Sequence, residues 1–330
     1  MTTIVIVGVA LALIFDFLNG MNDAANSIAT VISTRVLTPR QGIVLAATCD
    51  ALGAIAFGLS VATTVGKGVV DPGVVTPPLV VAALVGAIIW TFVCTKFGLP
   101  ISVSHALVGG LCGATLVKAG PSALVSTGLI KIGAFIVVSP LFGMLLAFIL
   151  MTLVSLLVRS WSKRRVETVF SKLQIASAAA FSLSHGSNDA QKTMGIISVL
   201  LFSAGLLGET FYVPIWVVVA AMSAICLGTA TGGWKVIRTM GTRLTNLRPL
   251  GGFAAEAGGS IAVFTASALG IPVSTTHTIA GSIVGVGLAN NVGAVRWGVA
   301  THIVWAWVLT IPVTALVGAG CFYLLNIFVH

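Results

Sequence analysis

The fold class predicted for this chain is an all-α polytopic membrane protein organised as an inverted-topology repeat. Three observations predict it: too little charge for a soluble protein, apolar stretches in succession, and two polar motifs that each occur twice, half a chain apart. Hydrophobic residues make up 57% of the 330, charged residues 8%, and mean hydropathy is +1.10. Soluble domains carry about a quarter charged residues. A basic soluble protein is therefore excluded, and the net charge of +9 reports loop topology rather than nucleic-acid binding. Cys49, Cys94, Cys112, Cys226 and Cys321 lie scattered in apolar sequence without CxxC spacing, the pattern of small packing residues rather than a metal or disulfide framework.

In order, the apolar stretches run over 4–34, 41–62, 77–97, 101–118 and 128–158, then 173–207, 212–232, 251–269, 272–290 and 297–327. A span of about 20 residues crosses the ~30 Å hydrocarbon core as helix. The first stretch has no basic segment ahead of it and continues into the first polar motif, so it reads as a span rather than a cleaved signal. The basic residues cluster at Arg35/Arg40, Lys96, Arg159–Lys172, Lys235–Arg248 and Arg296. With one crossing per stretch, both termini outside and the chain in a cell (plasma or inner) membrane, 13 of the 17 basic residues fall in the cytoplasm. Lys67, Lys118 and Lys131 fall outside, and Lys192 lies at membrane depth. Residues 1–158 and 173–330 then form two inverted halves of five stretches each, joined by 159–172, which is a transporter architecture. The longest stretches exceed a simple span, so broken helices or re-entrant hairpins are expected, with up to 12 helices.

The first repeated motif is the octet Asn19-Gly20-Met21-Asn22-Asp23-Ala24-Ala25-Asn26, which returns 166 residues later as His185-Gly186-Ser187-Asn188-Asp189-Ala190-Gln191-Lys192. A polar, glycine-containing octet inside an apolar run reads as a helix break. The second is Leu99-Pro100-Ile101-Ser102-Val103-Ser104-His105, matched at an offset of 172 by Ile271-Pro272-Val273-Ser274-Thr275-Thr276-His277. It reads as a helix start: proline ends one helix, and hydroxyl residues cap the next. Two such N-termini, each with free N–H groups and a partial positive charge, form a cradle for an oxyanion. The bland alternative is a capped turn outside the membrane.

Of the eight acids, Asp71, Glu167 and Glu209 fall in loops, whereas Asp16, Asp23, Asp50, Asp189 and Glu256 fall in apolar sequence. Each costs roughly 2.5–3.5 kcal/mol at the bilayer centre unless compensated, and Lys192 alone cannot pair five. For Asp16 and Asp50 a helix-end position is the competing reading. For Asp23 and Asp189 cations from solution are the natural compensation, with Asn22, Asp23, Asn26, Asn188 and Asp189 as oxygen ligands for a hard ion such as sodium. His105 and His277 are placed to donate to an anion, to carry protons, or to cap and pack; they do not cluster as metal ligands do.

The two octets and the two Pro-x-Ser-x-x-His segments resemble the PiT family of inorganic phosphate transporters, over essentially the whole chain. The resemblance implies a secondary active transporter, not an enzyme, that carries phosphate with sodium or protons through an inverted-repeat fold with re-entrant hairpins. It assigns phosphate to Ser102, Ser104, His105, Ser274, Thr275, Thr276 and His277 with Asn22 and Asn188. The cation goes to Asp23, Asp189 and their asparagines. Asp50, where the family has glutamate, and Glu256 match its other acidic positions and are expected to join the cation ligands; the aspartate is one methylene shorter. The large hydrophilic loop of eukaryotic members is absent. No cofactor is expected beyond co-transported sodium, preferred over protons, and the expected partners are phosphate and the bilayer, with no nucleic acid; a homodimer is compatible with the sequence, but no motif calls for one. Sulfate is the rival oxyanion. An anion channel has no need of five embedded acids, and an intramembrane hydrolase using Asp23 with Asp189 has no need of the duplicated cradle.

Overall fold

The computed structural model describes residues 2–56, 69–269 and 273–328. These form eleven α-helices, and among the described residues there is no strand. In chain order they are α1 (Thr2–Ser33), α2 (Pro39–Ala56), α3 (Pro77–Phe97), α4 (Val103–Ala119), α5 (Ser126–Leu157), α6 (Lys163–Ser203), α7 (Ile215–Thr231), α8 (Trp234–Arg238), α9 (Pro249–Ala268), α10 (Thr275–Asn290) and α11 (Trp297–Phe328). Lys67, the end of the 41–62 stretch, and Ile271-Pro272 of the second proline motif lie outside the described residues.

The helices start and stop where local chemistry dictates. Thr76, with Pro77 at the first helical position, opens α3, and Gly98 closes it at φ +74°, the left-handed conformation that glycine adopts without penalty. Ser102, Ser162 and Ser274 accept from the backbone N–H three residues on and so cap α4, α6 and α10. The basic connection is itself mostly helical: Lys163–Lys172 forms the first turns of α6, whose 41 residues rise about 60 Å at 1.5 Å each, far more than a bilayer needs.

Among the described residues four helices, α1, α3, α5 and α11, are long and apolar enough to cross a membrane, and α7 with the segment through Arg243 makes a fifth candidate bent by 61°. Helices α4 and α10, with 17 and 16 residues, rise only about 25 Å and fall short of the ~30 Å core.

The expected breaks at the octets are also corrected. Helices α1 and α6 run through 19–26 and 185–192 without interruption, so backbone carbonyls there stay in the helical ladder and are not freed as ligands. A helix-interior glycine costs only about 1 kcal/mol, which packing easily outweighs. What glycine provides here is close approach. A Cβ on Gly20 would stand 2.1 Å from the carbonyl oxygen of Ile225, and one on Gly186 2.1 Å from that of Asp50. The neighbours answer in kind: Cβ atoms on Gly228 and Gly53 would lie 2.0 and 2.1 Å from the carbonyl oxygens of Phe17 and Leu183. Thus α1 is locked on α7, and α6 on α2, backbone to backbone. Among the described residues a sharp bend between apolar helices lies instead between α7 and α8, at Gly232 (φ +66°) and Gly233.

The same exchange of partners runs through the remainder. Helix α4 packs on α11 and α10 on α5, while α3 joins α4 and α11 as α9 joins α10 and α5. Prolines sit inside α5 and α11, at Pro140 and Pro312. Helices α1 and α6 meet each other at the centre.

Candidate functional site

The crossing of α1 and α6 gathers the polar residues that the sequence strews over the chain. Asp16, Asp23, Asp50, Asp189 and Glu256 are all buried, each at most 2% exposed, so none is a helix-end residue reaching for water. Asp23 and Asp189 come from the two octets. Between them lies His185, whose Nε2 is 3.2 Å from Asp189 Oδ2 and 3.8 Å from Asp23 Oδ2, and whose Nδ1 is 3.1 Å from Asp50 Oδ1. Thr229 of α7 donates to the other Asp50 oxygen at 3.2 Å. Lys192 Nζ lies 2.5 Å from Asp189 Oδ1 and donates to the Val273 carbonyl at 3.2 Å. Asp16 accepts from Thr193 at 2.8 Å.

The N-terminus of α10 closes on this cluster. Thr275 donates to Asp189 Oδ2 and Thr276 to Asp23 Oδ1, both at 3.1 Å, and Asn26 donates to Thr276 at 3.0 Å. Each buried bond to an ionised group is worth roughly 1.5–3 kcal/mol, so this end of α10 is held by both halves of the chain. Ser102 and Ser274 are occupied as caps, accepting from the N–H groups of His105 and His277 at 3.3 and 3.2 Å. The two capped ends face one another, since the rings of His105 and His277 lie 5.0 Å apart, edge to face. His277 is also stacked on Trp307 at 3.9 Å, and the Trp307 indole donates to the Pro100 carbonyl at 3.0 Å. Ser104 is the half-exposed member of the group.

The asparagines hold equivalent places. Asn22 donates to Thr95 at 2.8 Å and Asn188 to Ser267 at 3.0 Å; the donors are 166 apart and the acceptors 172, the two motif offsets. Their amide oxygens, with those of Asn19 and Asn26, are buried without a hydrogen-bond partner among the described residues. A buried unpaired acceptor costs about 1–3 kcal/mol, which a bound cation would remove. Asp23, His185 and Asp189 also each offer an atom within 4.8 Å of the others', close enough together for the three to hold a positive ion.

One expected member stands apart. Glu256 on α9 is bound by Ser177 and Thr30, and by Gln174 at 3.3 Å. Thr30 is seven residues beyond Asp23 on one helix, about 10 Å along its axis. Glu256 thus belongs to a separate buried cage rather than to the aspartate cluster.

Sequence reading overlooked His185, Thr95, Ser267, Thr229 and the cage around Glu256. It counted Lys192 only as insufficient charge. For His185 and Lys192 a signal existed: at the 166-residue offset they stand where the first octet has Asn19 and Asn26. With Lys192 charged, and His185 too, Asp16, Asp23, Asp50 and Asp189 still outnumber their internal partners.

The phosphate transporter family profile matches residues 19–318. A probable low-affinity inorganic phosphate transporter of Rhizobium meliloti (strain 1021) is 55% identical over 315 residues, covering 96% of this chain and 94% of that protein. One of the same description from Bacillus subtilis (strain 168) is 42% identical, covering 98% and 97%. A solved structure described as the sodium-dependent phosphate transporter superposes with a TM-score of 0.88 at 29% identity, over 98% of this chain and 99% of that one. These relatives are transporters rather than enzymes, and their fold, of which the buried carboxylates and facing helix ends are part here, spans the chain from end to end. This chain belongs to the phosphate transporter family.

Proposed function

We propose that the chain imports inorganic phosphate as a secondary active transporter, by cation symport with sodium as the preferred ion and alternating access as the mechanism. One observation carries this: buried acids in excess of buried bases lie against the N-terminus of α10, which faces that of α4 across the His105–His277 contact, and such helix ends suit an oxyanion. An anion entering alone would be repelled, since two unit charges roughly 4 Å apart interact by about 4 kcal/mol even at an effective dielectric of about 20. Cations must neutralise the carboxylates before or with phosphate, which makes coupling obligatory. In this reading phosphate takes the α4 and α10 ends, with Ser102, Ser104, His105, Ser274, Thr275, Thr276 and His277, helped by Asn22 and Asn188. The cation takes Asp23, Asp189, Asn22, Asn26 and Asn188, with Asp50 held through His185. Glu256 serves a cage of its own. The description of the solved relative as sodium-dependent supports sodium over protons.

The paired glycine locks support an inverted repeat of 1–158 and 173–330 joined by 159–172. Adding 166 on α1 and 175 on α2 carries Phe17, Gly20, Asp50 and Gly53 onto Leu183, Gly186, Ile225 and Gly228, contact for contact. Two halves that meet at α1 and α6 can rock about the site. In this arrangement the basic connections are cytoplasmic and both termini outside, in the cell membrane. Cysteines placed at the exposed Ser162 and Thr242, in a background without the native five, should then label only from the cytoplasm. Labelling from outside at either would overturn the inversion.

The test of function is uptake of labelled phosphate into proteoliposomes under separately imposed sodium and proton gradients, with arsenate or sulfate as competitor. Sodium-driven uptake that arsenate inhibits and sulfate does not is the expected result. Phosphate and arsenate keep a proton at neutral pH and can donate to the site's acceptors. Sulfate cannot, and a site built around a substrate donor rejects an analogue lacking it by up to ~10⁴-fold. Equal inhibition by sulfate would reassign the substrate.

A further inference from the structure

Aligned position by position, the octets pair Asn19 with His185, Asn22 with Asn188, Asp23 with Asp189 and Asn26 with Lys192. In the first octet Asn19, Asn22 and Asn26 each carry a buried side-chain oxygen without a hydrogen-bond partner among the described residues. These residues and Asp23 share one face of α1 by their spacing. One carboxylate with neutral oxygens is the ligand set a hard cation takes.

The second octet keeps Asn188, whose amide oxygen is likewise buried without a partner among the described residues, but is built differently at its two ends. Its first amide is replaced by His185, and its last by Lys192, the one Lys or Arg side chain buried among the described residues. The Lys192 ammonium stands 2.5 Å from Asp189 Oδ1 and 3.2 Å from the Val273 carbonyl, so a carboxylate and a carbonyl surround it as they would a bound ion. It is tethered to α6 and cannot leave with the substrate.

We infer that Lys192 is a resident cation that neutralises Asp189 permanently, so that the second half-site takes no transported ion and the protein carries one cation fewer per phosphate than its duplicated acids would bind. This rests on the symport reading above and narrows it: the transported cation keeps Asp23, Asn22 and Asn26, and Asp189 and Asn188 no longer count among its ligands. It makes the two half-sites unequal: the first binds and releases the coupling ion, and the second keeps its charge through the cycle.

The decisive variant is Lys192→Asn, which gives the second octet the residue the first has at that position. In proteoliposomes, the cation-to-phosphate ratio is read from the opposing gradients at which net flux vanishes, for whichever ion drives wild-type uptake. The ratio should rise by about one in K192N, because the bared carboxylate needs a new partner at membrane depth, and should stay at the wild-type value in K192R. An active K192N with the wild-type ratio overturns the inference. If K192N does not transport, thermal unfolding of the purified protein in sodium against choline decides. A larger sodium-dependent rise in Tm than wild type shows supports a gained ion site, and an equal one overturns it. Wild-type uptake driven by neither gradient would refute symport itself, before any variant is compared.

Discussion

The two octets have one backbone geometry and two chemistries. Gly20 and Gly186 are pressed on carbonyl oxygens of α7 and α2 at the same hypothetical Cβ distance, 2.1 Å. Asn22 and Asn188 reach equivalent hydroxyls on α3 and α9. Yet the first octet carries Asn19, Asn22 and Asn26 with one acid, whereas the second keeps a single asparagine beside its acid and adds an imidazole and an ammonium. The difference separates what duplication must keep from what it can vary. A contact between two backbones has no slack, because any added carbon collides with atoms that cannot move aside. A side chain aimed into a shared polar hollow needs only a partner, and that partner can come from either half. The fold is therefore duplicated while the charge is divided.

The strongest way to break this comparison is to neutralise each acid. Asp23→Asn and Asp189→Asn should both abolish gradient-driven phosphate uptake, since each removes a charge that holds or balances a cation. Their effects on the folded protein should differ. Asp23 has His185 at 3.8 Å and the Thr276 hydroxyl as partners, and an amide there leaves no full charge stranded. Asp189→Asn strands the buried Lys192 ammonium, and removing one member of a buried pair costs about 3–5 kcal/mol. Thermal unfolding should place D189N well below D23N. Equal stability would mean that Lys192 finds another partner, and normal sodium-stimulated transport in either variant would remove that carboxylate from coupling.

A smaller and deliberately equal effect is expected at the glycines. Gly20→Ala and Gly186→Ala each force a methyl group on a backbone carbonyl, and overpacking of this kind costs about 1–3 kcal/mol, against roughly 0.5–1 kcal/mol regained in helix propensity. Gly133, on α5 with open space around it, is the control and should gain stability as alanine. Matched losses at Gly20 and Gly186 would sharpen the view of one scaffold used twice. A loss at only one would show that the two locks bear unequal loads.

The pairing of the halves could be read from the chain because it is written in short motifs, and motif spacing survives without coordinates. So could the burial of the acids: five carboxylates in apolar sequence left few other places for them. The expected helix breaks failed because a glycine that bends a chain and one that admits a neighbouring backbone look alike in sequence. Only the position of Ile225 or Asp50 across the interface distinguishes them. His185 was passed over because its partners, Asp50 and Asp23, are more than a hundred residues away, and nothing in the octet alone says where its ring points. Glu256 was grouped with the aspartates by chemistry alone, and its separation from them follows from Thr30 lying two turns further along α1.

The mildest effect belongs to the place where the halves are joined by one aromatic ring. Trp307 stacks on His277 of the second proline motif and donates its indole N–H to Pro100 of the first, so it bridges both helix ends from α11. Trp307→Phe keeps a ring against His277 and removes only the donor. One neutral hydrogen bond contributes about 0.5–1.5 kcal/mol, equivalent to a roughly 2- to 12-fold change in an equilibrium. If the bond serves to hold the two ends at the right spacing for the anion, that change should appear as a higher KM for phosphate with the maximal rate little altered, the signature of lost binding shared by ground and transition states. Trp307→Ala loses the stack as well and frees His277 to turn, so its KM should rise further, with Phe at this position restoring most of the difference. A fall in maximal rate with KM unchanged in W307F would place Trp307 in the motion between the halves rather than in the shape of the anion site.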